Sequence, residues 1–528
     1  MPDDSFHIYD TTLRDGAQQE GLNLTVADKL VIARQLDEFG VGFIEGGWPG
    51  AIPKDTEFFR RAASELDLKN SRLAAFGATR RPGVRAGDDP LVAALRDSGA
   101  PVVTLVAKSH DRHVLRALRT SLDENLAMIT DTITHLRREG QRVFLDAEHF
   151  FDGYRSNPEY ALEVVRTAAL AGADLVVLCD TNGGMLPGEL GETVAAVADA
   201  TGVRLGIHCH DDSACGVANT LAAVDAGVTH VQGTANGYGE RAGNADLFSV
   251  VAGLQLKQGM VVLPGDAITD MSRIAHTISE IANVNPDPHQ PYVGVSAFAH
   301  KAGLHASAVK VDPMLYQHID PALVGNDTRT LVSDMAGRAS VELKSRELGY
   351  DLSGDTGATG RVIDRVKKME ANGYTFEAAD ASFELLLRDE LGLRQAYFSV
   401  ESWRIIVERR ASGETTSEAT VRLTAKGERL VAVGEGNGPV NALDKALRAA
   451  LEQMYPELAM LELAGYKVRI LAGSHGTSAV TRVLIESRDG TGPTWSTVGV
   501  DENIIAASWH ALEEAVTYCL LRSGRESS

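Results

Sequence analysis

The stretch Leu205-Gly206-Ile207-His208-Cys209-His210-Asp211-Asp212 begins apolar, continues with two histidines two residues apart and ends in two carboxylates. In an extended strand residues i and i+2 face the same side, so both imidazoles can converge on one point. Neutral imidazole is the commonest metal-ligating side chain. Most His-x-His pairs are not metal sites, because the histidines pack in the core or lie at the surface. The position of this pair in the whole chain therefore decides whether it indicates a metal site.

This segment contains the seventh of eight short β-rich runs that recur about every 30 residues, the length of one strand-plus-helix unit. Helical patterns separate the runs; Thr25 and Asp28 predict a capped helix start, and Gly40 predicts its end. Eight strands alternating with eight helices predict an α/β fold, a (β/α)8 barrel. An open doubly wound sheet is the weaker alternative, because no Gly-rich phosphate loop follows the first run. The predicted strands are 6–10, 41–46, 72–76, 101–107, 142–146, 174–179, 204–208 and 229–233.

Polar side chains gather at the ends of the predicted strands. In (β/α)8 barrels the catalytic groups lie at the C-terminal ends of the strands, which all meet at one face. We therefore expect these side chains to line one catalytic mouth. In strand order they are Arg14 and Asp15, Glu45, Lys108, Glu148, Asp180 and Thr181, His208 and His210, and Asn236.

Asp15, His208 and His210 would supply one oxygen and two nitrogen ligands to a metal ion. Closure of the barrel places the first strand beside the eighth, so the first and seventh strands are near neighbours. Three protein ligands leave positions open for substrate, which is the catalytic rather than the structural pattern. Mixed nitrogen and oxygen ligation suits Zn, Mn, Co or Mg and does not choose among them. The alternative is a salt-bridged Asp15 beside two core histidines.

Three further residues carry chemistry in this interpretation. Arg14 is a fixed cation beside the predicted metal, suited to a carboxylate or a developing oxyanion, although it can also pair with Glu45. Glu148 is a candidate general base, and a solvated strand-end glutamate is the equal alternative. His305, beyond the barrel, is a candidate acid/base group. The glycines of 237–243 have GxGxxxG spacing after the eighth strand, so they predict a turn rather than a dinucleotide site.

The composition restricts the class of protein. The 528 residues are 44% hydrophobic and 23% charged, as in globular proteins, and 51 basic against 72 acidic residues give a net charge of −21. Such a charge argues against a nucleic-acid or anionic-membrane partner. There is no signal-peptide pattern and no long apolar stretch. Four cysteines are too few and too irregularly spaced for a disulfide framework, so we expect reduced thiols in a cytoplasmic protein.

The chain is too long for one ordinary hydrophobic core, and its predicted secondary-structure pattern changes twice along the sequence. We predict a catalytic barrel over 1–285, a mostly helical linker region over 286–394 that contributes to the active site, and an α+β regulatory domain over 395–528. In this last domain the pattern predicts three strands, a helix over 440–454, two more strands and a closing helix over 504–521.

The same residues carry a resemblance to a known family. Asp10 to Gly16 (DTTLRDG), His208 to Asp212 (HCHDD) and Gly239 to Asn244 (GERAGN) together resemble the 2-isopropylmalate synthase and homocitrate synthase family. The segments 436–442 (GNGPVNA) and 495–500 (WSTVGV) resemble its C-terminal amino-acid-sensing domain. The likeness therefore spans nearly the whole chain. Within the family, 10–18 and 373–382 (GYTFEAADAS) are most similar to the members that use pyruvate.

The resemblance implies an acyltransferase that condenses acetyl-CoA with a 2-oxo acid, here pyruvate, and then hydrolyses the thioester to release citramalate and CoA. It implies that Asp15, His208 and His210 hold a divalent metal, with Asn244 as a further ligand or as a group that supports the ligands. It also implies that Arg14 binds substrate. By the same likeness Glu148 and His305 match the candidate bases, Thr181 matches a residue near the thioester, and Tyr316 matches a tyrosine of the His305 segment. The chain departs from many relatives at Ala17, where they have Glu, and at Ala306-Ser307, where they have Gln-Asp.

Several alternatives remain at this point. The same chemistry on another 2-oxo acid would make isopropylmalate or homocitrate. Metal-dependent acyl-CoA lyases and biotin-dependent carboxyltransferases share the start of the barrel, but the motif 239–244 and the closing domain argue against them. A catalytically inactive amino-acid-binding regulator would have lost Arg14 or a metal ligand, and all are present. The resemblance further implies a homodimer and an isoleucine-forming pathway with isoleucine as feedback effector.

Overall fold

The fold is taken from a computed structural model that describes residues 4–335, 337–352, 354–471, 479–490 and 494–526. The described chain forms two compact units, Met1–Phe298 with Ile319–Asp327, and Ala299–His318 with Thr328–Ser528. No described helix is long and apolar enough to cross a membrane. All four cysteines are free thiols.

The first unit contains a closed barrel of eight parallel strands in sequence order, and β1 pairs with β8. All eight strands were predicted from the repeating runs, with ends shifted by two residues at most. The strands are β1 His7–Asp10, β2 Phe43–Gly47, β3 Arg72–Ala78, β4 Val102–Lys108, β5 Arg142–Glu148, β6 Leu175–Asp180, β7 Leu205–Cys209 and β8 His230–Gly233.

The helices of the barrel begin and end where local chemistry predicts. Thr25 and Asp28 form a capping box at the start of Val26–Phe39, and Gly40 ends that helix at φ 93°. Pro158 and Pro187 occupy first-turn positions. The main helices are Val26–Phe39, Pro53–Glu65, Pro90–Asp97, Leu122–Arg138, Phe150–Ser156, Pro158–Leu170, Pro187–Thr201, Gly216–Asp225, Leu247–Ala252 and Met271–Ala282.

Two apolar layers hold the barrel. The outer faces of the strands and the inner faces of the helices form one large core. A second cluster fills the barrel interior, as expected for this fold, from Tyr9, Phe43, Ala74, Val102, Phe144, Leu175, Val177 and Cys179. The interior also contains buried polar groups: the Tyr9 hydroxyl donates to Glu45 at 2.8 Å and lies 2.6 Å from Thr104 Oγ1. The interior therefore combines apolar side chains with buried polar groups.

The second unit begins with helices and ends in an α+β domain. Its helices Gly303–Val311, Arg338–Glu347, Thr356–Ala371 and Asp380–Glu390 match the predicted helical linker region, and short strands β9 Ala299–His300 and β10 Arg329–Thr330 pair in parallel. The predicted division of the whole chain into three domains stays a prediction.

The α+β domain consists of two antiparallel three-stranded sheets. The first contains β11 Phe398–Arg409, β12 Thr415–Ala425 and β13 Glu428–Gly436, followed by the helix Pro439–Leu451; the second contains β14 Glu462–Ile470, β15 Thr481–Arg488 and β16 Trp495–Asp501, followed by the helix Ile504–Glu526. The prediction of two strands between these helices was wrong, because there are three. β14 is almost wholly exposed, so it lacks the alternation of buried residues that marks a strand.

Candidate active site

The loop after β1 presents Arg14 and Asp15 to the barrel mouth. The Thr11 carbonyl accepts hydrogen bonds from the backbone N–H groups of Arg14 and Asp15 at 3.1 and 2.8 Å, which coils the loop into a tight turn. Asp10 accepts from the backbone N–H and hydroxyl of Thr12 at 2.9 and 2.7 Å, and burial raises the pKa of Asp10 to about 7. Thr12 Oγ1 in turn accepts from the N–H of Ala235, which ties this loop to the end of β8. The sequence DTTLRD thus places a cation and a carboxylate next to each other.

Asp15, His208 and His210 converge as predicted. Asp15 Oδ2 lies 3.2 Å from His208 Nε2 and 3.9 Å from His210 Nε2, and all three side chains are buried. Their potential ligand atoms lie within 4.8 Å of one another. Burial alone would raise the pKa of Asp15, but the charge of Arg14 and the hydrogen bond with His208 hold it well below its usual range. Burial and the charge of His208 lower the pKa of His210 to about 4.

Asn244 supports the interpretation of this cluster as a metal site. It faces His210 across an isolated β-bridge, and its Nδ2 donates to the Tyr238 carbonyl at 3.1 Å. Its Oδ1 is buried and has no hydrogen-bond partner among the described residues. A buried acceptor without a donor is costly. The buried Asp–His–His cluster together with this unpaired oxygen therefore fits a divalent cation with nitrogen and oxygen ligands.

Arg14 is held rigidly beside this cluster. Its Nε donates to Glu45 at 2.6 Å, its Nη1 lies 3.6 Å from Asp15, and its guanidinium lies 3.8 Å from the ring centroid of Phe76. Burial alone would lower the pKa of Arg14, but Glu45 and Asp15 raise it, so the side chain is a permanent cation. Both roles considered for Arg14 are thus compatible: it pairs with Glu45 and still lines the mouth, with 13% of its side chain exposed.

Glu148 and Thr181 lie at the ends of β5 and β6. Glu148 forms an ion pair with Lys108, its register neighbour on β4. Thr181 Oγ1 accepts from the N–H of His149 at 2.9 Å. The ion pair keeps the Glu148 carboxylate at the wall of the mouth.

One cavity of about 470 Å³ joins these groups, a volume typical of small-molecule sites. Its wall combines the charged cluster with an apolar side that includes Val106, Met128 and Cys179. The predicted strand-end residues that line it are Arg14, Asp15, Lys108, Glu148, Thr181, His208 and His210. Glu45, Asp180 and Asn236, which were also predicted at the mouth, are not among its lining residues. The turn after β8 contributes Glu240 and Arg241, and Arg241 Nη2 lies 3.2 Å from His210 Nδ1.

The structure places His305 and Tyr316 in the second unit. His305 lies on the helix Gly303–Val311, and its ring stacks on Tyr316 with centroids 4.2 Å apart. These two residues are therefore in direct contact. Their catalytic roles stay predictions.

The sequence interpretation overlooked Asp146 and Gln232. Asp146 is two residues before Glu148 on β5, and Gln232 is two residues after His230 on β8, so both face the barrel interior. Burial and the charge of Glu45 raise the pKa of Asp146 to about 7. A charged or amide residue inside a strand, two positions from another polar residue, is the signal that could have found them.

Three known families match successive parts of the chain. Residues 5–279 match the HMGL-like family, residues 292–374 match the homocitrate synthase post-HMGL domain-like family, and residues 377–520 match the LeuA allosteric (dimerisation) domain. The first match covers the barrel and the candidate site.

The chain is also similar to known proteins over nearly its whole length. The chain is 69% identical to the (R)-citramalate synthase of Streptomyces coelicolor over 99% of this chain and 98% of that protein. It is 49% identical to the (R)-citramalate synthase of Aquifex aeolicus, over 98% of each chain. The probable 2-isopropylmalate synthase of Methanopyrus kandleri is 34% identical over 98% of each chain.

Proposed function

Because the chain belongs to the (R)-citramalate synthase family of acyl-transferring enzymes, we propose that it condenses acetyl-CoA with pyruvate and water to give (R)-citramalate and CoA. The observation that carries this proposal is the convergence of Arg14, Asp15, His208 and His210 in one cavity. A fixed cation and three potential metal ligands therefore lie together at one cavity.

The chemistry begins with the binding of the 2-oxo acid. The Arg14 guanidinium provides planar donors for a carboxylate or for the ketone oxygen, and its contacts with Glu45 and Phe76 orient it in advance. A divalent ion at Asp15, His208 and His210 would act as a Lewis acid at the ketone. When the new carbon–carbon bond forms, negative charge develops on the ketone oxygen, and the fixed charge of Arg14 stabilises it.

The second substrate must lose a methyl proton. Glu148 is our candidate base for this step, since its carboxylate lines the cavity and Lys108 holds it in place. The resulting carbanion equivalent attacks C2 of pyruvate, and the alkoxide takes up a proton. Water then adds to the thioester carbon, and CoA leaves as the free thiol. For His305 and Tyr316 an acid/base role rests on the resemblance, as does the role of Thr181 near the thioester.

The choice of pyruvate predicts a clear order of substrates. In a thiol-release assay with acetyl-CoA, kcat/KM for pyruvate should exceed that for 2-oxoisovalerate by about 10-fold or more, because each added methyl group in a fitted pocket costs about 1–3 kcal/mol. The series should also include 2-oxobutyrate and 2-oxoglutarate, with a reaction lacking any 2-oxo acid as the control. Equal or faster turnover of 2-oxoisovalerate or 2-oxoglutarate would contradict the citramalate assignment in favour of isopropylmalate or homocitrate.

We also propose that isoleucine inhibits the enzyme through the C-terminal domain, in an isoleucine-forming pathway. The match of residues 377–520 to an allosteric domain supports this. Millimolar L-isoleucine should lower the rate of CoA release by the full chain. D-isoleucine is the matched control, since it has the same composition and charge but cannot make the same contacts. A rate that L-isoleucine leaves unchanged would argue against this effector.

The same domain supports a homodimer. Its sheets expose apolar side chains, among them Ile406, Val431, Val433, Val468 and Ile470, each at least 41% exposed. The match of residues 377–520 to a dimerisation domain supports the same assembly. We also propose that the protein is located in the cytoplasm, because its four cysteines are free thiols and three of them are buried.

A further inference from the structure

A buried chain of hydrogen bonds runs behind the metal cluster inside the barrel. His208 Nδ1 lies 3.0 Å from Gln232 Oε1, and Gln232 Nε2 donates to Asp146 Oδ1 at 3.0 Å. His208 and Gln232 are register partners on the neighbouring strands β7 and β8. All three side chains are at most 5% exposed. Water therefore has little access to this chain, and its members must satisfy one another.

Only one orientation of the Gln232 side-chain amide satisfies the donors and acceptors of this hydrogen-bond chain. A carboxylate accepts hydrogen bonds, so the Gln232 amide nitrogen faces Asp146 and its oxygen faces His208. The second N–H of that amide faces His230 Nε2 at 3.4 Å. Burial holds the pKa of His230 well below its usual value, so this ring is neutral and can accept. Two acceptors thus flank the amide nitrogen, and both agree on its orientation.

This orientation determines the tautomer of His208. Because Gln232 Oε1 can only accept, the proton of the contact lies on His208 Nδ1. The other nitrogen, Nε2, donates to Asp15 Oδ2 at 3.2 Å, and a divalent ion at this cluster would take the place of that proton. A histidine ligand must present an unprotonated nitrogen to the ion, and a partner on its other nitrogen favours that arrangement.

We propose that Gln232 and Asp146 are positioning residues that orient His208 and reserve its Nε2 for the metal. Asp146 fixes the amide of Gln232, and Gln232 fixes the ring of His208. The inference rests on the proposed metal site. It assigns a function to two residues of the barrel interior that the proposed reaction does not otherwise use.

Metal affinity of the full-length, metal-free protein tests this inference. Co²⁺ is a suitable probe, because its visible absorbance also reports ligand geometry. Gln232→Met removes the acceptor at similar volume and should weaken Co²⁺ binding about 10–100-fold, the usual effect of losing such a partner. Gln141→Met is the matched control: Gln141 is also a buried glutamine, but its Nε2 donates to Leu95 and Ala100 carbonyls away from the site. This control should bind Co²⁺ as the wild type does.

A double variant distinguishes the loss of His208 orientation from a nonspecific disruption of the barrel interior. Asp146→Asn with Gln232→Glu exchanges carboxylate and amide, so that an acceptor still faces His208 and a donor–acceptor contact still joins the two positions. It should recover most of the Co²⁺ affinity lost in Gln232→Met. Thermal unfolding of the metal-free proteins monitors the fold, and the near-isosteric double variant carries the test if Gln232→Met does not fold.

Three results would overturn the inference. They are wild-type affinity in Gln232→Met, an equal loss in Gln141→Met, and a double variant that binds Co²⁺ no better than the single one. Failure of the proposed function has a different signature, because a wild type that binds Co²⁺ but releases no CoA leaves the affinity series readable. A wild type that binds no Co²⁺ would contradict the metal site and this inference together.

Discussion

His208→Ala is expected to lower the rate of CoA release by about 10³-fold or more, which corresponds to about 4 kcal/mol of transition-state stabilisation. The substitution removes one of three converging protein ligands, and it leaves Asp15 and His210 with too few donors to hold the ion against water. It also leaves the Gln232 oxygen without its partner. The same loss is expected for His210→Ala.

The fold should survive this substitution. The lost contacts lie at the catalytic end of the barrel, whereas the two apolar layers are unchanged. Circular dichroism should therefore show wild-type secondary structure, with a melting temperature a few degrees lower. His289→Ala, at an exposed histidine, is the matched control and should be fully active. Wild-type enzyme stripped of metal by a chelator should fall to the level of His208→Ala. Substantial CoA release by the variant would refute the metal site.

Arg14→Lys is expected to lower kcat/KM by about 10²–10³-fold, the usual effect of losing one donor to a developing oxyanion. Lysine keeps the positive charge, so Glu45 and Asp15 retain a cation nearby and the barrel should stay folded. It cannot reproduce the planar fork, the Nε contact with Glu45 or the stack on Phe76. The loss should therefore come from geometry rather than from charge.

Steady-state kinetics distinguish binding from chemistry in this variant. If Arg14 holds the 2-oxo acid in both ground and transition state, KM for pyruvate rises; if it acts on the developing charge alone, kcat falls and KM stays. KM for acetyl-CoA should change little in either case. Arg60→Gln, an exposed arginine paired with Glu57, serves as control and should behave as wild type. An Arg14→Lys enzyme with wild-type kcat/KM would exclude Arg14 from the reaction.

The cluster of Asp15, His208 and His210 was predictable because its signals are local. His-x-His on one strand face, and Arg-Asp in the turn after the first strand, are patterns of adjacent residues. Barrel closure then brings β1 and β7 together through β8, so no long-range contact had to be guessed. Asp146 and Gln232 were not predictable in the same way. In β8 polar and apolar residues alternate, which is typical of a strand with one face in water, yet here the polar face is the sealed interior.

The periodic spacing of strands and helices by itself determined the (β/α)8 barrel, since each unit is set by propensity, capping and alternation within about 30 residues. The residue types at the strand ends likewise predicted the Asp–His–His cluster and the cation beside it. Only the tertiary structure decided which partner each group has. The register of β4 with β5 pairs Lys108 with Glu148, and that of β7 with β8 sets Gln232 against His208. Such pairings depend on distances between residues far apart in the chain, and those distances exist only once the barrel has closed.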